Sequence, residues 1–260
     1  MPGLLAAENR IFDRVLRFGL TAARADSATK EGSEKMATKM QFLWRAAAAV
    51  CAFVNCSIAP IAGAQSACAA LGGTVDQNQV CQGHITTADY TLDLSFPVSY
   101  PDQQAMTDYL VHTRDTWVDD VRTYPRHDRP PYLLTITGTA YRSATPGSST
   151  QSVVLDMNQD LGAHPVTSFK AFNYDLGKGA PITFDTLFKP GTKPLDVLNP
   201  IVTRQLGPLP FGEPGVEAYQ NFAITDDAVI FFFGQGQVLP AVNGPQQVSV
   251  PRTELAALMA

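Results

Sequence analysis

The stretch Tyr90-Thr-Leu-Asp-Leu-Ser-Phe96 decides how the chain folds, because apolar and polar side chains alternate along it without interruption. Successive side chains of a β-strand point to opposite faces of the sheet. The alternation therefore predicts a strand with one face in the core and the other turned to solvent. The predicted core set is Tyr90, Leu92, Leu94 and Phe96, and the predicted outer set is Thr91, Asp93 and Ser95.

A helix is predicted directly after this strand. Pro97 and Pro101 end the extended run, and Asp102 is a residue suited to cap a helix. The apolar side chains that follow recur at helical spacing, which predicts one buried stripe. The stripe consists of Met106, Tyr109, Leu110, Thr113, Trp117 and Val121. Tyr124-Pro125 is predicted to end the helix.

Three further strands are predicted in the middle of the chain. Residues 132–143 and 151–159 flank the turn residues 145–149, so they predict a β-hairpin. A third strand is predicted over 166–174. This part of the chain therefore predicts an antiparallel meander.

The C-terminal part mixes helices and strands. Apolar spacing predicts a second helix over 195–206, in which Pro200 must either start the helix or kink it. The run Ala228–Phe233 is apolar at every position, which predicts a strand covered on both faces. A last strand over 246–250 and a terminal helix follow. The predicted class is α+β: one domain, residues 65–260, with helices packed on an antiparallel sheet.

The N-terminal residues predict an export signal. Lys39 and Arg45 precede an apolar run, and Ala62-Gly-Ala64 suits signal peptidase. We assign residues 36–64 to the signal peptide, with an uncleaved membrane anchor as the alternative. Residues 1–35 then precede the signal as a mis-annotated extension, with translation starting at Met36 or Met40. The predicted location is extracellular or attached to the cell wall, with membrane contact only during export.

Charge and cysteine content narrow the class of partner. Residues 65–260 hold eleven Lys/Arg against nineteen Asp/Glu without a basic stripe, which excludes nucleic-acid binding. Cys68 and Cys81 are the two cysteines left after signal removal, and two cysteines in an exported chain predict a disulfide. A metal site would have only His84 beside the two thiols, too few ligands. We expect no metal, no cofactor and a monomer.

Strong catalytic signatures are absent from the sequence. Neither the Gly-x-Ser-x-Gly elbow nor the phosphate loop, the dinucleotide fingerprint or His-Glu-x-x-His occurs. The candidate nucleophile, base and orienting acid are Ser168, His164 and Asp175. His164 and Ser168 would be about 13 Å apart in an extended chain, so the alternative is that His164-Pro165 only shapes the start of a strand.

The loop from Gly234 to Gly244 is the predicted binding site. A buried strand precedes it and would hold its base rigid, while glycines permit backbone shapes closed to other residues. The predicted binding residues are Gly234, Gly236, Val238, Leu239, Pro240, Val242 and Gly244. A plain hairpin connection is the alternative.

Several motifs together resemble one family. They are Gly162-Ala-His-Pro165, Phe172-Asn-Tyr-Asp-Leu176, Pro181-Ile-Thr-Phe-Asp-Thr-Leu-Phe188, Asn221-Phe-Ala-Ile-Thr-Asp-Asp227 and Val250-Pro-Arg252. The pattern resembles the secreted mycobacterial immunogenic proteins, and Tyr100-Pro-Asp-Gln103 and the cysteine pair extend it over residues 66–260. The domain is similar to the extracellular domain of unknown function of lysozyme-sensing anti-sigma factors.

The resemblance implies an α+β fold, export and binding roles, with esterase activity suggested for some relatives. Residues 237–244 depart from the tyrosine-containing loop of the anti-sigma branch, which argues against lysozyme binding. The leading hypothesis is a secreted, non-enzymatic binding or immunogenic protein of the actinobacterial envelope that recognises a protein or envelope ligand. A secreted carboxylesterase is the first alternative, and lysozyme or cell-wall glycan binding is the second.

We predict cleavage after Ala64. Intact-mass analysis of the protein from culture medium should give an N-terminus at Gln65. Recovery of any peptide from residues 1–35 in that material would contradict the assignment of the start site.

Overall fold

The structure is a computed structural model that describes residues 59–123, 131–145, 148–162 and 164–260. The signal-peptide prediction falls almost wholly on residues outside these ranges. The helices are α1 (Ala59–Ala70), α2 (Gln103–Thr123), α3 (Phe184–Leu187), α4 (Leu195–Leu206) and α5 (Arg252–Leu255). The strands are β1 (Gly73–Val75), β2 (Val80–Thr86), β3 (Tyr90–Pro97), β4 (Tyr132–Thr145), β5 (Ser148–Asp160), β6 (Val166–Asp175), β7 (Ala180–Pro181), β8 (Phe222–Ile224), β9 (Ala228–Phe233) and β10 (Gln246–Pro251).

Strands β1 to β7 form one sheet in sequence order. The predicted meander of β4, β5 and β6 is confirmed as antiparallel. The expectation of a purely antiparallel sheet is wrong at one place, because β3 and β4 pair in parallel. Parallel neighbours need a long crossover, and α2 supplies it. The sheet is therefore mixed, and the class remains one of helices packed on a large sheet.

Helix α2 packs on one face of this sheet. Asp102 Oδ1 accepts a hydrogen bond from the Ala105 backbone N–H at 3.2 Å, as expected of a residue that caps a helix. The buried stripe of α2 contacts the inward side chains of β3, as the sequence predicts. The apolar side chains between α2 and the first sheet form the first core of the protein. Leu92, Leu94 and Phe96 of β3 are all buried in it.

A disulfide links α1 to β2, the strand next to the edge of the first sheet. Cys68 in α1 and Cys81 in β2 are bonded, as predicted, with their Cα atoms 5.6 Å apart. The chain turns between them at Gly72, where φ is +76°. The backbone of Gly73 passes close to the disulfide, since a Cβ atom on this residue would lie 2.9 Å from Cys81 Sγ. Only glycine fits beside this disulfide without displacing it.

Strands β8, β9 and β10 form a second, three-stranded sheet with β9 in the centre. The prediction that β9 is covered on both faces is confirmed. Val229, Phe231 and Phe233 enter a second core with α4, whereas Phe232 enters a third cluster with Val154 and Ala223. The second sheet is thus sandwiched between α4 and the first sheet.

Hydrogen bonds join the second sheet to β5 and β6. Ser152 Oγ accepts from the Ile224 backbone N–H at 3.2 Å, and Asn173 Nδ2 donates to the Phe222 carbonyl at 2.9 Å. Both side chains are buried. Because these bonds fall on β5 and β6, the second sheet covers that half of the first sheet.

Helix α4 begins at Leu195, so Pro200 lies inside it. The alternative in which Pro200 starts the helix is therefore wrong. Leu198, Ile201 and Val202 still share one buried face. Among the described helices, none combines the length and apolar character that a membrane crossing requires.

We predict that reducing the disulfide Cys68–Cys81 lowers the free energy of unfolding by about 3 kcal/mol or less, the value expected for closing a loop of this size. Chemical denaturation with and without reductant measures the difference. The Cys68→Ala/Cys81→Ala protein is the control and should not respond to reductant. Two free thiols in exported protein would contradict the disulfide.

Candidate functional site

The residues predicted to form a catalytic group do not come together. Ser168 and Asp175 lie seven positions apart in β6, so their side chains point to opposite faces of the sheet, about 23 Å apart along the strand. His164 is exposed and precedes β6 by two residues. The physical reason is that an extended strand keeps side chains at these spacings too far apart for a hydrogen bond.

Asp175 has a structural role instead. Its Oδ1 accepts hydrogen bonds from the backbone N–H groups of Gly177 and Lys178, both at 2.9 Å. Its other oxygen lies 3.6 Å from the Lys178 ammonium. Asp175 therefore stabilises the turn between β6 and β7.

The base of the predicted binding loop is hydrogen-bonded to the start of β6. Gln235 donates its backbone N–H to the Thr167 carbonyl at 2.8 Å, and its side-chain oxygen accepts from the Thr167 N–H at 3.2 Å. A Cβ on Gly234 would lie 3.3 Å from that same carbonyl. The loop base is thus held against the start of β6, while Gly236 and Gly244 adopt positive φ angles.

The side chains of this loop divide into two groups. Val238 is only 4% exposed and belongs to the second core, and Leu239 packs against that core. Val238 therefore has almost no surface left for a partner, because its apolar side chain is folded into the core. Leu239 is half-buried, and its contact with a partner stays a prediction. Val242 is 93% exposed. Pro240 is exposed as well, so the outer side of the loop consists of Pro240 and its successors up to Gly244.

A polar surface remains open on the outer face of β2, β3 and β4. These side chains point away from α2, and the second sheet covers the other half of this face. Pairing places Gln82, Ser95 and Thr137 in one row and His84, Asp93 and Thr135 in the next. We call this the outer polar face.

The outer polar face contains a hydrogen-bonded group of three side chains. His84 Nδ1 lies 2.5 Å from Asp93 Oδ1, and His84 Nε2 lies 3.0 Å from Thr86 Oγ1. The histidine side chain is 67% exposed and the aspartate side chain 43%. A shallow depression of about 290 Å³ adjoins them, with six polar side chains in its lining. They are Gln82, His84, Asp93, Ser95, Thr135 and Thr137.

A further carboxylate stands beside the depression. Asp156 of β5 pairs with Thr137, and partial burial raises the pKa of its carboxyl group. Within the described residues, no group of three or more His, Cys, Asp or Glu side chains could hold a metal ion. The polar groups on this face are hydroxyls, an amide, an imidazole and carboxylates.

Comparison with known proteins shows that the chain is similar to mycobacterial proteins. It is 49% identical over 208 residues to Esterase Rv3036c of Mycobacterium tuberculosis, an alignment that spans 76% of this chain and 91% of that protein. It is 38% identical over 214 residues to Immunogenic protein MPB64 of Mycobacterium bovis, which spans 79% of this chain and 93% of that protein. The chain belongs to the family of these mycobacterial proteins.

The domain of unknown function DUF3298 matches residues 185–253, from α3 to the start of α5. A solved DUF3298 protein from Pseudomonas aeruginosa aligns with a TM-score of 0.51 and 12% identity, over 72% of this chain and 96% of that one. At this identity the likeness shows the fold alone. Thr86, His84 and Asp93 lie outside the DUF3298 segment of the family.

We predict that a valine-to-serine substitution has different effects on the inner and the outer side of the binding loop. Val238→Ser should lower the free energy of unfolding by about 2 kcal/mol or more, because it leaves a void and buries a hydroxyl. Val242→Ser should leave the melting temperature unchanged, because its side chain is 93% exposed. Thermal unfolding of both variants measures this. Equal melting temperatures would contradict the assignment of Val238 to the core.

Proposed function

We propose that this protein is an exported carboxylesterase that hydrolyses small carboxylic esters. The 49% identity to Esterase Rv3036c over nine-tenths of that protein carries the proposal. The outer polar face supports it, because hydroxyl, imidazole and carboxylate side chains are the groups that ester hydrolysis needs. The disulfide Cys68–Cys81 and the predicted signal peptide support a location outside the cytoplasm.

A binding protein is the second candidate, and Val242 favours it. A valine that is 93% exposed, on a loop whose base is held rigid, suits recognition at a low ordering cost. The relatives named as immunogenic proteins are compatible with such a role. The binding candidate needs no hydrolysis, so an activity assay separates the two.

The proposed function predicts saturable hydrolysis of a neutral, unactivated ester. Protein collected from culture medium in its oxidised form should release acid from glycerol triacetate, followed by titration at constant pH. An unactivated ester is essential, because surface lysines and histidines attack nitrophenyl esters in any protein. Heat-denatured protein at the same concentration is the control. A rate no higher than that control would overturn the esterase proposal and leave the binding candidate.

A further inference from the structure

The positions of His84, Thr86 and Asp93 follow from the pairing of two strands. His84 and Thr86 are two residues apart in β2, so both point to the outer polar face. Asp93 is the direct partner of His84 in the antiparallel β2–β3 register. Directly opposed residues have their Cβ atoms about 5 Å apart, within hydrogen-bond reach of both side chains. The backbone of the sheet therefore fixes the order of the three groups.

The hydrogen bonds of this group determine which atoms donate a proton and which accept one. An ionised carboxylate can only accept, so the contact with Asp93 places the proton of the neutral imidazole on His84 Nδ1. His84 Nε2 is then an acceptor, and the Thr86 hydroxyl donates to it across 3.0 Å. A base that accepts from a hydroxyl on one nitrogen while a carboxylate orients the other is the arrangement that activates a nucleophile.

A simple surface ion pair is the competing explanation. Such a pair would engage His84 Nδ1 and the Asp93 carboxylate alone, and at this exposure it would contribute little to stability. The contact between His84 Nε2 and Thr86 Oγ1 is an additional feature that an ion pair does not require. His84 and Asp93 also line the polar depression, whereas Thr86 lies outside its lining and is the direct hydrogen-bond neighbour of His84. The weak contribution of the pair also means that its removal leaves the fold intact.

We propose that Thr86 is the nucleophile and His84 the general base of this esterase, with Asp93 as the positioning residue. This assignment rests on the proposed function. The Thr86 Oγ1 attacks the ester carbonyl carbon while its proton passes to His84 Nε2. The tetrahedral intermediate then collapses, and His84 returns the proton to the departing alcohol. An acyl-threonine ester remains.

Water completes the cycle. It attacks the acyl carbon and gives one proton to His84 Nε2, and the carboxylic acid leaves as the proton returns to Thr86 Oγ1. One ester and one water are consumed, and one acid and one alcohol are formed. Solvent reaches both His84 and Asp93, so electrostatic stabilisation is weaker than in a buried site and turnover should be slow.

The side chains that line the depression indicate which class of ester the site would bind. Its lining contains amide and hydroxyl groups and no Lys or Arg, and Asp93 and Asp156 add negative charge. Anionic esters are repelled from such a surface, whereas neutral polar alcohols find hydrogen-bond partners. The substrate class is therefore neutral esters of polar alcohols.

The test compares two matched threonine substitutions. Thr86→Val removes the hydroxyl and keeps the shape of the side chain. Thr91→Val does the same to the residue directly opposite Thr86, which makes no described hydrogen bond to His84. With glycerol triacetate, Thr86→Val and His84→Gln should each lower kcat/KM at least about 100-fold. Thr86→Ser should restore activity to within about tenfold of the unsubstituted protein, and Thr91→Val should not change it.

Asp93 needs a separate readout, because it acts through His84. Asp93→Asn should lower kcat at least about tenfold while KM stays constant, since the imidazole loses the partner that sets its tautomer. Asp93→Glu should recover part of kcat. A rise in KM alone, or no recovery with glutamate, would overturn the positioning role.

The outcomes distinguish this inference from the proposed function. If the unsubstituted protein does not hydrolyse the ester, the esterase proposal itself is contradicted. Hydrolysis that survives Thr86→Val, in protein with an unchanged melting temperature, overturns the assignment of the nucleophile alone. Activity lost in Ser168→Ala and kept in Thr86→Val would move the site to β6.

Discussion

Phe231 and Phe232 are neighbours in β9 and point to opposite sides of it. Phe231 packs against Tyr219, with ring centroids 5.2 Å apart, on the side of α4. Phe232 packs against Phe169 of β6, with ring centroids 5.4 Å apart. Burying both aromatic rings requires β9 to stand between two apolar surfaces. The second sheet must therefore lie on the outer face of β5 and β6.

This placement decides which part of the first sheet remains open. The outer side chains of β5 and β6 that meet the second sheet include Val154, Phe169 and Ala171. The outer side chains of β2 and β3 are polar, so burying them under another element would not stabilise the fold. The same sheet thus has a covered apolar half and an open polar half. The hydroxyl, imidazole and carboxylate groups of the outer polar face lie in the open half.

The sequence predicts the local structure well where one face of an element is apolar. Tyr90–Phe96 alternates strictly and Ala228–Phe233 is apolar throughout, and both are strands. Leu92, Leu94 and Phe96 are buried as expected, whereas Tyr90 is half-buried. The parallel pairing of β3 and β4 was missed because alternation is the same for parallel and antiparallel neighbours. The strand–helix–strand order around α2 was the available signal.

The candidate site was missed for a related reason. His84 and Asp93 are nine residues apart in the chain and meet only because β2 and β3 pair in one register. Gly83 interrupts the apolar alternation of β2, so no strand was predicted there. The polar side chains Gln82, His84 and Thr86 two residues apart were the signal that could have indicated it. Val238 was misplaced because flanking glycines mark a loop without saying which of its side chains turn inward.

Trapping the acyl-enzyme would show directly whether Thr86 is the nucleophile. Oxidised protein is mixed with excess nitrophenyl acetate, quenched in acid within the first turnover, and digested for peptide mass spectrometry. We expect one added acetyl group on the hydroxyl of Thr86, removed on longer incubation and absent from Thr86→Val. Acetyl groups found only on lysines, or on a serine of β6, would contradict it.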